Sequence, residues 1–256
     1  TFATTRERVQ QQQHHGSVRG DVTALLKNAS WVVLVLTGIL VVIGLIARFA
    51  SIVFYLKYYV GDAGTTVFLI FDRTAVLTSC GLIGQLFGAL ITPMLASRFE
   101  KHHLMIGMNV LHAALLAICY FIPPDNFGLI TMVHSLGIMT FGVVITLLFS
   151  MYTDCSEYGE WLTGRQTAGL TVSASMFSLK FGSALGGALP GFMLAGFGFV
   201  ANEVQSDWAL QGIRLMFNGL PAVFFLAGGL LMLFYKIDRE TLAVTERELH
   251  ERRTSS

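Results

Sequence analysis

The chain has 256 residues, of which 54% are hydrophobic and only 13% are charged, and its formal net charge is +1. Soluble domains typically carry about 25% charged residues. This composition excludes a disordered chain and, with so little net charge, a nucleic-acid-binding protein. The three cysteines (Cys80, Cys119 and Cys155) are widely spaced, which excludes a disulfide scaffold and leaves no metal site to expect. A polytopic membrane protein remains.

The first 30 residues precede any apolar run. They open without an initiator methionine or a signal peptide and continue through a glutamine- and histidine-rich linker at 10–15. The segment Asp21–Asn28 is predicted to form a short interfacial amphipathic helix. We therefore expect residues 1–30 to be a cytoplasmic central loop that ends in this helix, and the chain to be the second half of a larger protein.

Six apolar runs are long enough to cross a bilayer, which requires about 20 helical residues. They are Trp31–Tyr59, Val67–Ala96, Leu104–Ile122, Phe127–Met151, Ala168–Val200 and Ile213–Tyr235. The runs are continuous rather than alternating, so they predict helices and not barrel strands. The predicted fold class is an all-α membrane protein, with a six-helix transmembrane bundle over 31–236 and a cytoplasmic tail over 237–256.

The distribution of Lys and Arg predicts the orientation. The loops at 60–66, 123–126 and 198–212 contain neither residue, whereas the segments on the side of the two chain ends contain most of them. By the positive-inside rule, both termini are expected to be cytoplasmic. The expected location is the plasma membrane, with the lipid bilayer as surroundings.

Lys180 is the most informative single residue. It lies about 12 residues into the fifth span, hence roughly 18 Å deep and near the membrane midplane. A charge there costs at least ~2.5–3.5 kcal/mol, which predicts that Lys180 faces a cavity or a partner. No acid of this chain is expected at the same depth. A lysine that snorkels or is paired only structurally is the alternative.

Other polar residues also fall within the spans. Arg48 and Tyr55 of the first span are candidate substrate-binding residues, although Arg48 could equally snorkel to the outer interface, and Tyr55 could belong to an interfacial belt with Lys57. Five lone polar residues are each expected to form hydrogen bonds between helices. They are Gln85, Asn109, His112, His134 and Asn218.

The fifth span also contains two GxxxG patterns. These are Gly182 with Gly186 and Gly187 with Gly191, and Pro190 lies between the last two glycines. Small residues at this spacing allow helices to approach closely, and proline favours a kink. The sequence therefore predicts tight packing, with a gating helix as the sharper alternative.

Residues 152–167 are predicted to form an acidic cytoplasmic loop. Its acids are Asp154, Glu157 and Glu160, and Arg165 could pair with one of them and tie the fourth span to the fifth. The alternative is an ordinary solvated loop, against which Tyr158 and Trp161 argue.

The residues of this loop and of the following span form a recognisable pattern. They are Asp154, Glu157, Tyr158, Gly159, Glu160, Trp161, Thr163, Gly164 and Arg165, then Gly169, Leu170, Phe177, Lys180, Gly182, Gly186, Gly187 and Gly191. The pattern resembles the signature of the glycoside–pentoside–hexuronide:cation symporters, the family of the major facilitator superfamily that contains melibiose permease. The resemblance extends over essentially the whole chain, as helices VII–XII, the C-terminal half of a twelve-helix fold.

The resemblance implies a function. A homologous N-terminal six-helix bundle would pack against this one, and a sugar or glycoside would bind between them, coupled to Na⁺, H⁺ or Li⁺. The cation ligands would lie in the other half, and no cofactor is implied. Lys180 would lie near both sites, and Ser175, Met176 and Leu179 would occupy sugar-contact positions. Met176 departs from the polar residue expected there.

The sequence also allows functions other than sugar symport by alternating access. Export or lysolipid transport within the same superfamily is the main alternative, since Met176 and Phe177 would suit an apolar path. An intramembrane enzyme would require a nucleophile–base pair or metal ligands at one depth. The sequence offers neither, so no enzyme activity is expected. Lys180 and the motif loop argue against a purely structural subunit.

Overall fold

The computed structural model describes residues 18–62, 64, 66–68, 71–164 and 168–255, and this part of the chain is mainly helical. In chain order the elements are α1 Val18–Lys27, α2 Ala29–Phe54 with a π-helical extension Tyr55–Val60, β1 Thr66–Phe68, β2 Phe71–Asp72, α3 Arg73–Arg98, α4 Lys101–Phe121, α5 Phe127–Thr163, α6 Ala168–Gly196, α7 Asp207–Arg214, a π-helical segment Leu215–Gly219, α8 Leu220–Leu231, a 3₁₀ turn Met232–Phe234 and α9 Arg239–Ser255. The chain from Asp207 to Phe234 is one helix with a π-helical turn inside it.

Five helices of the described chain are long and apolar enough to cross a membrane. They are Ala29–Val60, Arg73–Arg98, Lys101–Phe121, Phe127–Thr163 and Asp207–Phe234. The sixth predicted span, α6, has 29 residues and is also long enough, but it is rich in glycine and serine and contains Lys180. These elements confirm the predicted all-α membrane bundle.

Helix α2 lies between α6 and α8 and also contacts α5, while α3 packs along α5 and α4 packs on α5 and α8. The α3–α5 contact depends on glycines, because a side chain at Gly88 would collide with the Met139 carbonyl and one at Gly142 with the Gln85 carbonyl.

The connections and short elements lie at the two ends of the bundle. The terminal end holds α1, α9, the α3–α4 junction and the last turns of α5. The opposite end holds the β1–β2 hairpin and the 122–126 and 197–206 connections.

The predicted start of the second span is wrong. Residues Thr66–Phe68 and Phe71–Asp72 form a small antiparallel hairpin, and α3 begins only at Arg73. The Asp72 carboxylate accepts a hydrogen bond of 2.7 Å from the Ala75 backbone N–H, so it caps the first turn of the helix. An apolar run alone did not distinguish this hairpin from a helix.

The predicted acidic loop is also wrong as a description of local structure, because residues 152–163 continue α5. The helix ends where Gly164 adopts a left-handed φ of 65° and its N–H donates to the Glu160 carbonyl. No proline or other strong helix breaker interrupts 152–163, and Tyr152, Cys155 and Gly159 form a buried face there. The fourth apolar run therefore marks only the apolar part of a 37-residue helix.

The segment predicted as a tail contains α9. The Asp238 carboxylate accepts a hydrogen bond of 2.8 Å from the Thr241 backbone N–H. Hydrogen bonds to Thr241 hold the pKa of this exposed carboxyl below its usual value. Helix α9 packs against the last turns of α5, with Thr245 and Leu249 buried. The helix is thus part of the terminal end of the bundle.

Candidate functional site

Helix α6 has two different faces. Its buried face consists of Thr171, Ser175, Ser178, Gly182, Gly186 and Pro190. A Cβ atom at Gly182 would lie 2.9 Å from the Ile39 carbonyl oxygen of α2, and one at Gly186 would lie 2.7 Å from the Ile43 carbonyl oxygen. Only glycine permits this approach, so the first GxxxG pattern packs α6 tightly against α2.

The other face of α6 is open and contains Lys180. Lys180, Ala184, Gly187 and Gly191 are all exposed, and a Cβ atom at either glycine would meet no atom within 4 Å. No other part of the described chain therefore packs closely over the glycines of the second GxxxG pattern. Among the described residues, Lys180 has no ion pair. We call Lys180, Ala184, Gly187 and Gly191 the open face.

The three residues at predicted sugar-contact positions lie elsewhere on α6. The Ser175 hydroxyl is buried, donates to the Thr171 carbonyl at 2.7 Å and accepts from the Trp31 indole N–H at 3.2 Å. Leu179 packs against the core and approaches Gly38 of α2. Met176 is half-buried. Ser175 and Leu179 thus face α2 within this bundle, whereas Lys180 faces outward.

Arg48 does not snorkel, because its side chain is 2% exposed and lies in the bundle interior. Its Nη1 donates to the Phe217 carbonyl at 2.9 Å and to Asn218 Oδ1 at 3.2 Å, and its Nη2 lies 3.0 Å from His134 Nδ1. The guanidinium also lies over the Phe217 ring, 4.1 Å from the centroid. The predicted hydrogen bonds between helices are therefore present for His134 and Asn218.

Tyr55 is buried as well, not in an interfacial belt. Its ring stacks on Phe217 with 4.1 Å between the centroids. Lys57, by contrast, is exposed at the opposite end, where its Nζ donates to Asn202 Oδ1 at 2.9 Å. The π-helical turn that begins at Tyr55 separates these two environments. Neither Arg48 nor Tyr55 faces the open face of α6.

Two other polar residues in the spans behave differently from each other. His112 Nδ1 on α4 lies 2.9 Å from Thr140 Oγ1 on α5, which is the predicted contact between helices. The Asn109 amide instead donates to the Met105 carbonyl of its own helix at 2.8 Å. For Asn109 the prediction is wrong, because a carbonyl one turn earlier is within reach of its side chain.

The motif residues lie along the last turns of α5 at the terminal end. Asp154 accepts a hydrogen bond from Lys101 at 2.7 Å, and Tyr158 stacks on Trp161 with 5.6 Å between the centroids. Trp161 Nε1 donates to Glu248 of α9 at 2.8 Å. Gly159 is buried against Asn28, since a Cβ atom at Gly159 would lie 3.4 Å from the side-chain amide nitrogen of Asn28. Glu157 and Glu160 also belong to this helical segment, each with an interaction partner.

The predicted partner of these acids, Arg165, lies outside the described residues. The cation that pairs with Asp154 is Lys101, which starts α4. The sequence does not predict this pair, because Lys101 and Asp154 are 53 positions apart and no local pattern connects them. The available signal was the presence of Lys101 in the short connection between the second and third predicted spans, at 97–103.

The comparisons with known proteins agree with the bundle. The profile of the family described as "MFS/sugar transport protein" matches residues 1–239. An isoprimeverose transporter of Lactiplantibacillus pentosus is 33% identical over 93% of this chain and 48% of its own length. A glucuronide carrier protein homolog of Escherichia coli K12 is 30% identical over 92% of this chain and 50% of its own length.

A putative sulfoquinovose importer of Escherichia coli K12 is 27% identical over 94% of this chain and 49% of its own length. The chain spans about half the length of the curated relatives it matches. Its helices therefore correspond to one half of these proteins.

Proposed function

Because this chain belongs to the MFS/sugar transport protein family, we propose that it acts as the C-terminal half of a sugar:cation symporter that works by alternating access. Its substrate would be a glycoside, pentoside or hexuronide. Relatives named for isoprimeverose and glucuronide transport support this substrate class. The chain is a multi-pass membrane protein whose relatives are transporters, and we propose that it has no enzymatic activity.

The open face of α6 is the observation that carries this proposal. Lys180 lies exposed in the middle of a 29-residue helix, and the exposed residues that follow it on the same face, Ala184, Gly187 and Gly191, have small side chains or none. A cation at such a depth requires an anionic or polar counterpart. The small residues leave room for a second helical bundle and for a solute between the two bundles. We propose that Lys180 contacts the solute there.

The proposal extends to the coupling ion and the orientation. The coupling cation would be Na⁺, H⁺ or Li⁺, held by carboxylates of an N-terminal six-helix bundle that packs on the open face. Both termini would be cytoplasmic, in the plasma membrane. The distribution of Arg and Lys supports this orientation, since Lys101, Lys236 and Arg239 lie at the terminal end, and the connections at the opposite end contain neither residue type.

Uptake by the complete carrier tests the proposal. In proteoliposomes containing this bundle and its N-terminal half, a Na⁺ or H⁺ gradient is expected to drive accumulation of labelled isoprimeverose or of a labelled glucuronide. Lys180→Ala should abolish gradient-driven uptake while the protein stays in the membrane. Lys236→Ala is the matched control, because Lys236 is also exposed but lies at the terminal end of the bundle. Its uptake should equal that of the wild type.

Two results would contradict the proposal. The sugar-symport function would be wrong if the wild-type carrier accumulated none of these sugars under either gradient. The role of Lys180 would be wrong if the Lys180→Ala carrier accumulated sugar normally.

A further inference from the structure

The last long helix contains a π-helical turn where it meets α2. This turn, Leu215–Gly219, places Phe217 and Asn218 in the interior, both fully buried. π-helical turns occur mostly as single local insertions in α-helices and are frequent at functional sites. Here the Phe217 carbonyl and the Asn218 side chain both accept hydrogen bonds from one side chain of α2, that of Arg48.

The contact of Arg48 with His134 fixes the state of the imidazole. A guanidinium has only donors, so His134 Nδ1 must be the acceptor across the 3.0 Å contact. The ring is therefore neutral and bears its proton on Nε2. Arg48 thus links three helices, because it lies on α2, His134 lies on α5, and the π-helical turn precedes α8.

The charge of Arg48 is balanced without a carboxylate. Among the residues that the structure describes, no acid lies within ion-pair distance of this guanidinium. The titratable side chains nearby are those of Tyr55 on α2, His112 and Cys119 on α4, and His134 on α5. The acceptors are a carbonyl, an amide oxygen and an imidazole nitrogen, and the Phe217 ring lies over the charge. These groups are dipoles, so their number and geometry determine whether the charge is tolerated.

The same stretch of α2 also supports α6. Ile46 lies two residues before Arg48, and its Cβ would lie 3.0 Å from a Cβ atom at Gly186. The position of α2 near Arg48 therefore constrains the position of α6 at Gly186. A shift of the Arg48 anchor would be transmitted through this glycine contact.

We propose that Arg48 is a positioning residue for transport: it holds the π-helical turn at Phe217–Asn218 and fixes α2, and through α2 it places the open face of α6. This inference rests on the proposed function for its transport readout. Its structural readout does not depend on any sugar.

Four variants test the role of Arg48. Arg48→Lys keeps the charge but lacks the planar fork that reaches Phe217, Asn218 and His134 together. The triple variant Arg48→Met, His134→Leu, Asn218→Leu replaces the polar network by apolar side chains, which often preserves a fold. His134→Asn retains an acceptor near the Nδ1 position and is compared with His134→Leu.

Hydrogen–deuterium exchange of the 215–219 backbone is the first readout. Arg48→Lys is expected to accelerate exchange there by about tenfold or more, because bonds to a charged group are lost. His134→Asn should exchange more slowly than His134→Leu. Unchanged exchange in Arg48→Lys would overturn the proposal, whether or not the carrier transports sugar.

Uptake by the complete carrier is the second readout. The folded triple variant is expected to lose uptake by about tenfold or more, since an apolar core no longer fixes the π-helical turn. If the triple variant transported sugar at the wild-type rate, the network would serve only to fill the core and the proposal would be overturned. If the triple variant failed to fold, the test would depend on hydrogen–deuterium exchange and sugar uptake of Arg48→Lys. A wild-type carrier that moves no sugar would contradict the proposed function only.

Discussion

Arg48 and Lys180 are both cations within apolar helices, on α2 and α6, and the bundle treats them in opposite ways. Arg48 is enclosed and hydrogen-bonded to groups of three helices, whereas Lys180 is exposed on a strip of small residues. The hydrogen bonds that stabilise the charge of Arg48 come from this chain. The comparison teaches that a charge in a membrane helix indicates a binding surface only where the residues of its own bundle do not bury it and supply its hydrogen-bond acceptors.

Removal of the Arg48 charge should therefore destabilise the bundle while removal of the Lys180 charge should not, and this difference in stability is the largest effect we predict. Arg48→Met leaves three buried acceptors, the Phe217 carbonyl, Asn218 and His134, without their donor. Because each unsatisfied buried acceptor costs about 1–3 kcal/mol, the free energy of unfolding should fall by about 3–5 kcal/mol. Lys180→Met should leave stability unchanged within about 0.5 kcal/mol. Both are measured by unfolding in mixed micelles. Equal losses in the two variants would contradict the comparison.

Two neighbouring glycines of α6 provide a matched pair. Gly186→Val would drive a side chain into the Ile43 carbonyl and Ile46, so we predict a destabilisation of about 1–3 kcal/mol. Gly187→Val faces open space and should not change the stability of this bundle. In the complete carrier, Gly187→Val should instead reduce uptake. The pair is compared by thermal unfolding and by uptake, and equal thermal stability of both variants would refute the close α2–α6 contact.

Two serines of α6 provide a milder version of the same contrast. Ser175→Ala removes the acceptor of the buried Trp31 indole N–H and should cost about 1–3 kcal/mol. Ser173→Ala is its control, since Ser173 is exposed. Tryptophan fluorescence during denaturation measures the stability of both variants. A loss of stability in Ser173→Ala as large as in Ser175→Ala would show that the inner face is assigned wrongly.

Lys101 is intermediate in exposure between Arg48 and Lys180, and its removal should give the smallest of the predicted losses of stability. It is partly exposed and has an acid partner, Asp154, at 2.7 Å. Lys101→Met should destabilise the bundle by only about 0.2–1 kcal/mol, and the effect should shrink as salt is added. Unfolding midpoints at low and high salt measure this. A larger, salt-independent loss would place Lys101 with Arg48 rather than between the two cations.

Hydropathy was sufficient to predict the helical bundle, because a span is a local property of about 20 residues. The packing of Gly182 and Gly186 was also predictable, since their spacing alone places them on one face. The extension of α5 to Thr163 was not, because Asp154, Glu157 and Glu160 end the apolar pattern without ending the helix. Helix α9 has no apolar run at all.

The surroundings of the two cations could not be predicted for different reasons. The partners of Arg48 are 86 to 170 residues away in the chain, so no local pattern connects them. The sequence did indicate that Lys180 requires a counterpart, but the described residues of this chain offer no acid to pair with it. The sequence did not show whether Ser175 faces α2 or the solute, and its hydrogen bond with Trp31 shows that it faces α2.

The accessibility of the open face in the complete carrier is the most direct test of the account. Ala184→Cys lies one turn from Lys180 on the same face, and Leu90→Cys on the exposed side of α3 is the control, in a background with Cys80, Cys119 and Cys155 replaced by alanine. We predict that a charged, water-soluble thiol reagent modifies Ala184→Cys, that a transported sugar slows this reaction, and that Leu90→Cys reacts only with lipid-soluble maleimides. If Ala184→Cys behaved like Leu90→Cys, the open face would contact lipid and the role assigned to Lys180 would be wrong.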